Sequence, residues 1–196
     1  MHYISRLHLG KPREHGMFKK LLLGAAALVT GCAGSFDGKV GGESMTVKDS
    51  VFLPVKSGDK IVGVSLVMSD QPETCDLLKA NREPKASKWL QLQLYELNDG
   101  QLIYPEKGDF SVGSAYVLGN GKHAFGRFHV RDENCTDKDA SADTASGLVK
   151  VSNVKPEENG TLNATWDITF GSDPVKGSFN ATWCDVDWTQ VNLHCE

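Results

Sequence analysis

No apolar run in the 196-residue sequence approaches the roughly 20 residues that a membrane-spanning helix needs. The run over residues 21–30 is ten residues long, and as a helix it rises only about 15 Å against a hydrocarbon core of about 30 Å. After position 32 the sequence also lacks a GxSxG elbow, an HExxH helix, a P-loop and a dinucleotide fingerprint, which removes the familiar serine-hydrolase, zincin and nucleotide-binding readings. It has no CxxC spacing, and only His123, His129 and His194 supply imidazoles there. A structural zinc site built on paired cysteines is therefore not expected.

Positive charge is also scarce. The whole chain has 21 basic and 25 acidic residues, but five of the former and one of the latter precede Cys32, leaving 16 against 24, or −8, for the remainder. That balance excludes nucleic acid as a partner, because such binding rests on neutralising phosphates. It also supplies no electrostatic attraction to an anionic bilayer.

The first sixteen residues do not read as part of a signal, and Met17 is the expected start. From there Lys19 and Lys20 precede the short apolar run, which has the dimensions of a signal-peptide core. The run ends in Val29, Thr30, Gly31 and Cys32. This resembles the lipobox of bacterial lipoproteins. The resemblance implies cleavage before Cys32, a diacylglycerol on its thiol and usually a further acyl chain on the new amine; more than one chain makes an anchor stable. Ala33 stands where an aspartate often retains Gram-negative lipoproteins at the inner membrane, so the resemblance implies the outer membrane. The expected layout is an N-terminal extension and signal over residues 1–31, a lipidated flexible tether over 32–43, and a single β domain over 44–196.

Cys75, Cys135, Cys184 and Cys195 form an even set behind an export signal, which points to two disulfides in an oxidising compartment. Of three possible pairings, Cys75 with Cys135 and Cys184 with Cys195 is expected, because the second would clip the C-terminus.

The hydrophobic period is two. Leu90, Leu92 and Leu94 alternate with Gln91, Gln93 and Tyr95; Leu162, Ala164, Trp166, Ile168 and Phe170 alternate with polar residues. Both are half-buried antiparallel strands. Further strands are expected near 46–55, 60–69, 108–118, 123–131, 146–154, 175–184 and 186–194, separated by turn residues such as Asn98-Asp99-Gly100 and Asn159-Gly160. About nine strands make an all-β antiparallel sandwich or barrel. One short helix is expected over 72–82, capped by Asp70 or Thr74. The echo of GTLNATWDI at Gly160 in GSFNATWCDV at Gly177 predicts two strands of one hairpin, with a bend near Cys184. The layout from SDQPETC through RDENC and TASGLVKV to GSFNATWC is similar to that of uncharacterised lipoproteins of Gram-negative bacteria, a likeness that implies no activity.

Candidate chemistry is thin. His123 and His129 share a strand face but lie about 20 Å apart, too far to hold one metal, and both read as exposed strand positions. The loop 132–143 offers Asp132, Asn134, Asp137, Asp139 and Asp143, oxygen ligands suited to calcium. It lacks the glycine of an EF-hand, and a solvated loop is the expectation. Trp89, Trp166, Trp183 and Trp188 are expected in the core, with Trp188, beside Asp185 and Asp187, the first candidate for a binding surface. The resulting expectation is a lipid-anchored envelope component that binds an envelope protein or glycan or acts structurally, without cofactor; the competing reading is an anchored hydrolase using carboxylates on envelope polymers.

Overall fold

The computed structural model describes residues 33–113, 119–138 and 145–196. Their strands are β1 (Gly34–Gly38), β2 (Asp49–Ser57), β3 (Lys60–Ser69), β4 (Arg82–Glu83), β5 (Lys88–Asn98), β6 (Gln101–Ile103), β7 (Gly108–Val112), β8 (Gly121–Val130), β9 (Ala145–Val154), β10 (Thr161–Phe170), β11 (Asp173–Trp183) and β12 (His194–Cys195), with one helix, α1 (Thr74–Lys79). Eight of them run in the order β11-β10-β9-β7-β8-β5-β3-β2. The ends of that row meet, since Thr182 and Trp183 pair in parallel with Val51 and Phe52. The sheet thus closes into a barrel, which removes its free edges.

The period-two pattern explains the interior. Leu90, Leu92 and Leu94 of β5 and Leu162, Ala164, Trp166, Ile168 and Phe170 of β10 all point inward and are buried. They meet Phe52, Phe110, Phe128 and Phe179 in one continuous core, so the barrel is filled by side chains. The repeated motif is the β10–β11 hairpin, with Asn163 directly opposite Asn180 and Ala164 opposite Phe179. Parity reverses after Trp183, where β11 ends: Trp183 packs on Phe52 in the inner core, whereas Cys184 and Val186 join a second core outside the barrel.

Tyr104, just beyond β6, packs against the inner core, and its hydroxyl is buried with no hydrogen-bond partner among the described residues. Burial pushes the phenol up to about 12. Between the ordinary value near 10 and that value, the unfolded chain has lost a proton that the folded chain retains, so stability falls as pH rises through this window. Tyr104→Phe should leave stability at neutral pH unchanged or raised, because it deletes an unpartnered hydroxyl. It should also reduce the loss of urea midpoint between about pH 9 and about pH 12; an unchanged slope would place the titration elsewhere.

Several expectations require correction. The segment read as a flexible tether is a strand: β1 pairs with β11 from Gly34 to Gly38, opposite Phe179 to Val175. Phe36 sends its ring inward onto Phe128 at 5.3 Å and Trp166 at 5.6 Å. Glycine makes this approach possible, since a Cβ at Gly177, opposite Phe36, would collide with the Ser35 carbonyl and lie 2.6 Å from the Trp166 ring. Gly177→Ala should therefore displace β1 and cost about 3 kcal/mol, readable as a lowered urea midpoint with faster amide exchange over residues 34–38.

The stretch 186–194 is not a strand. Barrel closure leaves it no edge along its length, and it crosses the outside as a strap, with a 3-10 turn at Trp188–Gln190 capped by Asp187 and only β12 pairing, in parallel, with β4. Val51, Leu53, Val67 and Trp89 on the outer faces of β2, β3 and β5 are buried beneath this strap and α1 in the second core. The helix cap also differs: the Thr74 N–H donates to Asp49 Oδ2 at 2.7 Å, while Asp70 accepts from the Lys88 N–H. The disulfides are Cys75–Cys184 and Cys135–Cys195. Cys184 ends beside α1, and the strap carries Cys195 across to the loop after β8, so the C-terminus is clipped by Cys135. Of the expected strand 108–118, Gly108–Val112 forms, and residues 114–118 lie outside the described residues.

Candidate functional site

Where the strap crosses β3, β5 and β8 it leaves a cleft of about 250 Å³. Trp89 and Val67 rise from the barrel wall, and Trp188, Val191 and Leu193 come from the strap. Trp188, Val191 and Leu193 are half-buried, with Asn192 exposed between the last two. Gln91 and Arg127 complete the wall on the outer faces of paired strands.

The floor is charged. Glu83 of β4 is 1 % exposed. Its Oε1 accepts from the Ser87 hydroxyl at 3.2 Å and lies 3.0 Å from His129 Nε2, and its Oε2 is 2.8 Å from the Arg131 guanidinium. Ser87 in turn accepts from the Trp89 indole N–H at 3.1 Å. Arg131 also reaches Asp137 at 2.9 Å. A bridge between Arg131 and Asp137 and the Cys135–Cys195 disulfide fix the loop against the C-terminus. One guanidinium thus holds two carboxylates, and a buried carboxylate so placed is compensated rather than left as a lone charge.

This geometry resolves the sequence candidates. Trp188 lines the cleft, but Asp185 and Asp187 do not join it. Asp187 Oδ1 accepts from the backbone N–H groups of Thr189 at 3.1 Å and Lys56 at 3.3 Å. Asp185 borders a separate depression with Lys79 and Glu158. In the loop proposed for calcium, Asp132 Oδ1 accepts from the N–H groups of Asn134 and Thr136, which hold its carboxyl below the usual range, Thr136 most strongly. Asp137 is committed to Arg131, and Asp139 and Asp143 lie outside the described residues. Cys32 also lies outside them.

His129, expected to be an exposed strand position, is instead largely buried against Glu83. His123, on the same strand face, makes its contact with the Gly119 carbonyl at 2.7 Å. Trp89, Trp166 and Trp183 pack in the two cores as expected.

A catalytic reading of the cleft needs free groups. Glu83 beside His129 has the look of an acid–base pair, yet the Ser87 hydroxyl in the cleft floor donates to the Glu83 carboxylate. Paired-carboxylate hydrolysis needs one carboxyl able to carry a proton and another able to attack or activate water. Here Arg131 ties both together.

No family model, curated protein or solved structure matches the chain. The site is therefore read from its own chemistry. A wider depression of about 790 Å³ lies over β9, β10 and β11, but its lining is the outward row of neighbouring strands, Thr165, Asp167, Lys176 and Ser178 among them. The smaller cleft gathers side chains from separate segments around aromatic walls, the composition expected of a recognition site. Sequence reasoning missed Glu83, Gln91, Arg127 and Arg131. Glu83 sits in the polar stretch NREPKAS, just beyond the expected helix over 72–82, where nothing marks it as buried.

Proposed function

We propose that the protein is an outer-membrane lipoprotein, anchored through Cys32, that acts as a binding component of the envelope and engages an envelope protein or glycan through the cleft beneath its C-terminal strap. The observation that carries the binding part is the filled barrel: with side chains occupying the interior, recognition falls to the outside, where Trp188, Gln91 and Arg127 surround the strap cleft. The lipobox-like residues support the anchor, and two disulfides suit an exported domain. The doubly paired Arg131 gives the hydrolase reading no support.

Two measurements test this reading. Cys32→Ala should move the protein from the membrane fraction to the soluble envelope fraction, and unchanged detergent dependence would reject the anchor. A photo-crosslinking residue at Asn192, in the cleft, should give a defined adduct in intact cells that is lost in Trp188→Ala. Equal adducts from a crosslinker at Asp59, in the turn between β2 and β3, would reject the cleft as the recognition surface.

A further inference from the structure

The chain enters the barrel at Ala33 without slack. The Asn180 N–H donates to the Ala33 carbonyl at 3.1 Å, the buried Ser50 donates its hydroxyl to the same oxygen, and the next residue, Gly34, is already paired with Phe179. Ala33, the residue bonded to Cys32, is thus itself fixed in the barrel wall, and one Cα step is only about 3.8 Å. The headgroup zone on each side of a bilayer is only about 5–8 Å deep. A domain held by so short a link cannot stand clear of the surface to which its first residue is attached.

We infer that the barrel lies directly on the bilayer, with the outward face of β1, β11 and β10 turned to the phospholipid headgroups. This rests on the reading that Cys32 carries the lipid. The composition of that face fits the partner. Ser35 stands opposite Ser178, and Ser178 opposite Thr165; Asn180 stands opposite Asn163, and Thr182 opposite Thr161. These side chains bond to one another across the strands: Ser35 with Ser178 at 3.1 Å, and the Asn163 amide with Asn180. None carries charge, in a chain whose portion after residue 31 is net −8 by its 16 basic and 24 acidic residues.

An uncharged middle to the face suits close contact. A carboxylate pressed against phosphates would be repelled and would have to give up its water. Hydroxyls and amides can exchange water for phosphate and glycerol oxygens. Charge returns two residues farther along each strand, as Asp37 and Asp167 on either side of Lys176, about 7 Å beyond Ser35, Thr165 and Ser178, and Lys79, Glu158 and Asp185 border Thr182 at the other end.

The test uses the full-length lipidated protein in phosphatidylethanolamine and phosphatidylglycerol vesicles carrying headgroup nitroxides. Bimane is attached at Thr182→Cys or Thr165→Cys, on the inferred contact face, and at Lys107→Cys. Lys107 is exposed and leads into β7, which with β8 forms the wall opposite the β11–β2 seam. Intact mass verifies two disulfides and one label in each variant. Several-fold stronger quenching at positions 165 and 182 than at 107 is expected, and a Gly/Ser segment inserted between Cys32 and Ala33 should erase the difference. Equal quenching in protein that floats with the vesicles would overturn the orientation alone. Protein that fails to float would overturn the anchor, and the orientation with it.

Discussion

Glu83→Ala should lower the stability of the fold by about 3–5 kcal/mol, the cost of removing one partner from a buried ionic cluster. The carboxylate is 1 % exposed and compensates Arg131, whose side chain is only 14 % exposed. Its loss leaves Asp137 as the guanidinium's remaining carboxylate in the cluster and deprives the Ser87 hydroxyl of an acceptor. Glu83→Gln keeps the shape and an acceptor for Ser87 but not the charge, and should fall between wild type and alanine. The decisive comparison is a double variant, Glu83→Met with Arg131→Met, which removes both charges. It should be less destabilised than the sum of its single variants. Urea unfolding with the disulfides intact measures wild type and all five variants, and a loss below about 1 kcal/mol for Glu83→Ala would mean that solvent already screens the cluster.

Cys75→Ala with Cys184→Ala should produce a loss of similar size. The disulfide closes a span of 109 residues, and the chain-entropy relation gives about 5 kcal/mol for a loop of that length. The Cys135–Cys195 bridge spans 60 residues, for which the same relation gives about 4 kcal/mol. The two losses should differ in kind as well. Cys184 is buried in the outer core with Leu78 and Trp89, so opening its bridge loosens α1 and the barrel wall together. Cys135–Cys195 instead pins the end of a strap whose other strand pairing here is the two-residue β4–β12 contact. Without that bridge the cleft should lose its outer wall while the barrel persists. Calorimetry reads the first effect, and crosslinking from Asn192 reads the second.

The sequence displayed what is local and periodic. Alternating leucines at 90, 92 and 94 fixed the inner face of β5, and the 17-residue echo set Asn163 opposite Asn180. It concealed what depends on closure. Gly34 and Gly38 read as tether because a strand that packs backbone against backbone sheds the side chains by which strands are recognised. Residues 186–194 alternate well enough for a strand, but a closed barrel offers them no edge. Of the cleft, the sequence offered Trp188 as a binding residue and Asp137 as an acidic loop residue. Glu83 and Arg131 are each unremarkable polar residues in sequence, and their burial follows from meeting one another across 48 positions, a relation that no local period encodes.

The partnership of β1 with β11 also bears on how the polypeptide can be made. Ser35 and Ser178, neighbours in the finished sheet, are 143 residues apart. Contacts of such long range form late, since their loop-closure entropy is met only after most of the chain is available. A polypeptide emerging from a ribosome therefore holds its first strand in waiting until nearly the last has appeared. The closing pairings of the sheet thus wait on the last strands of the chain.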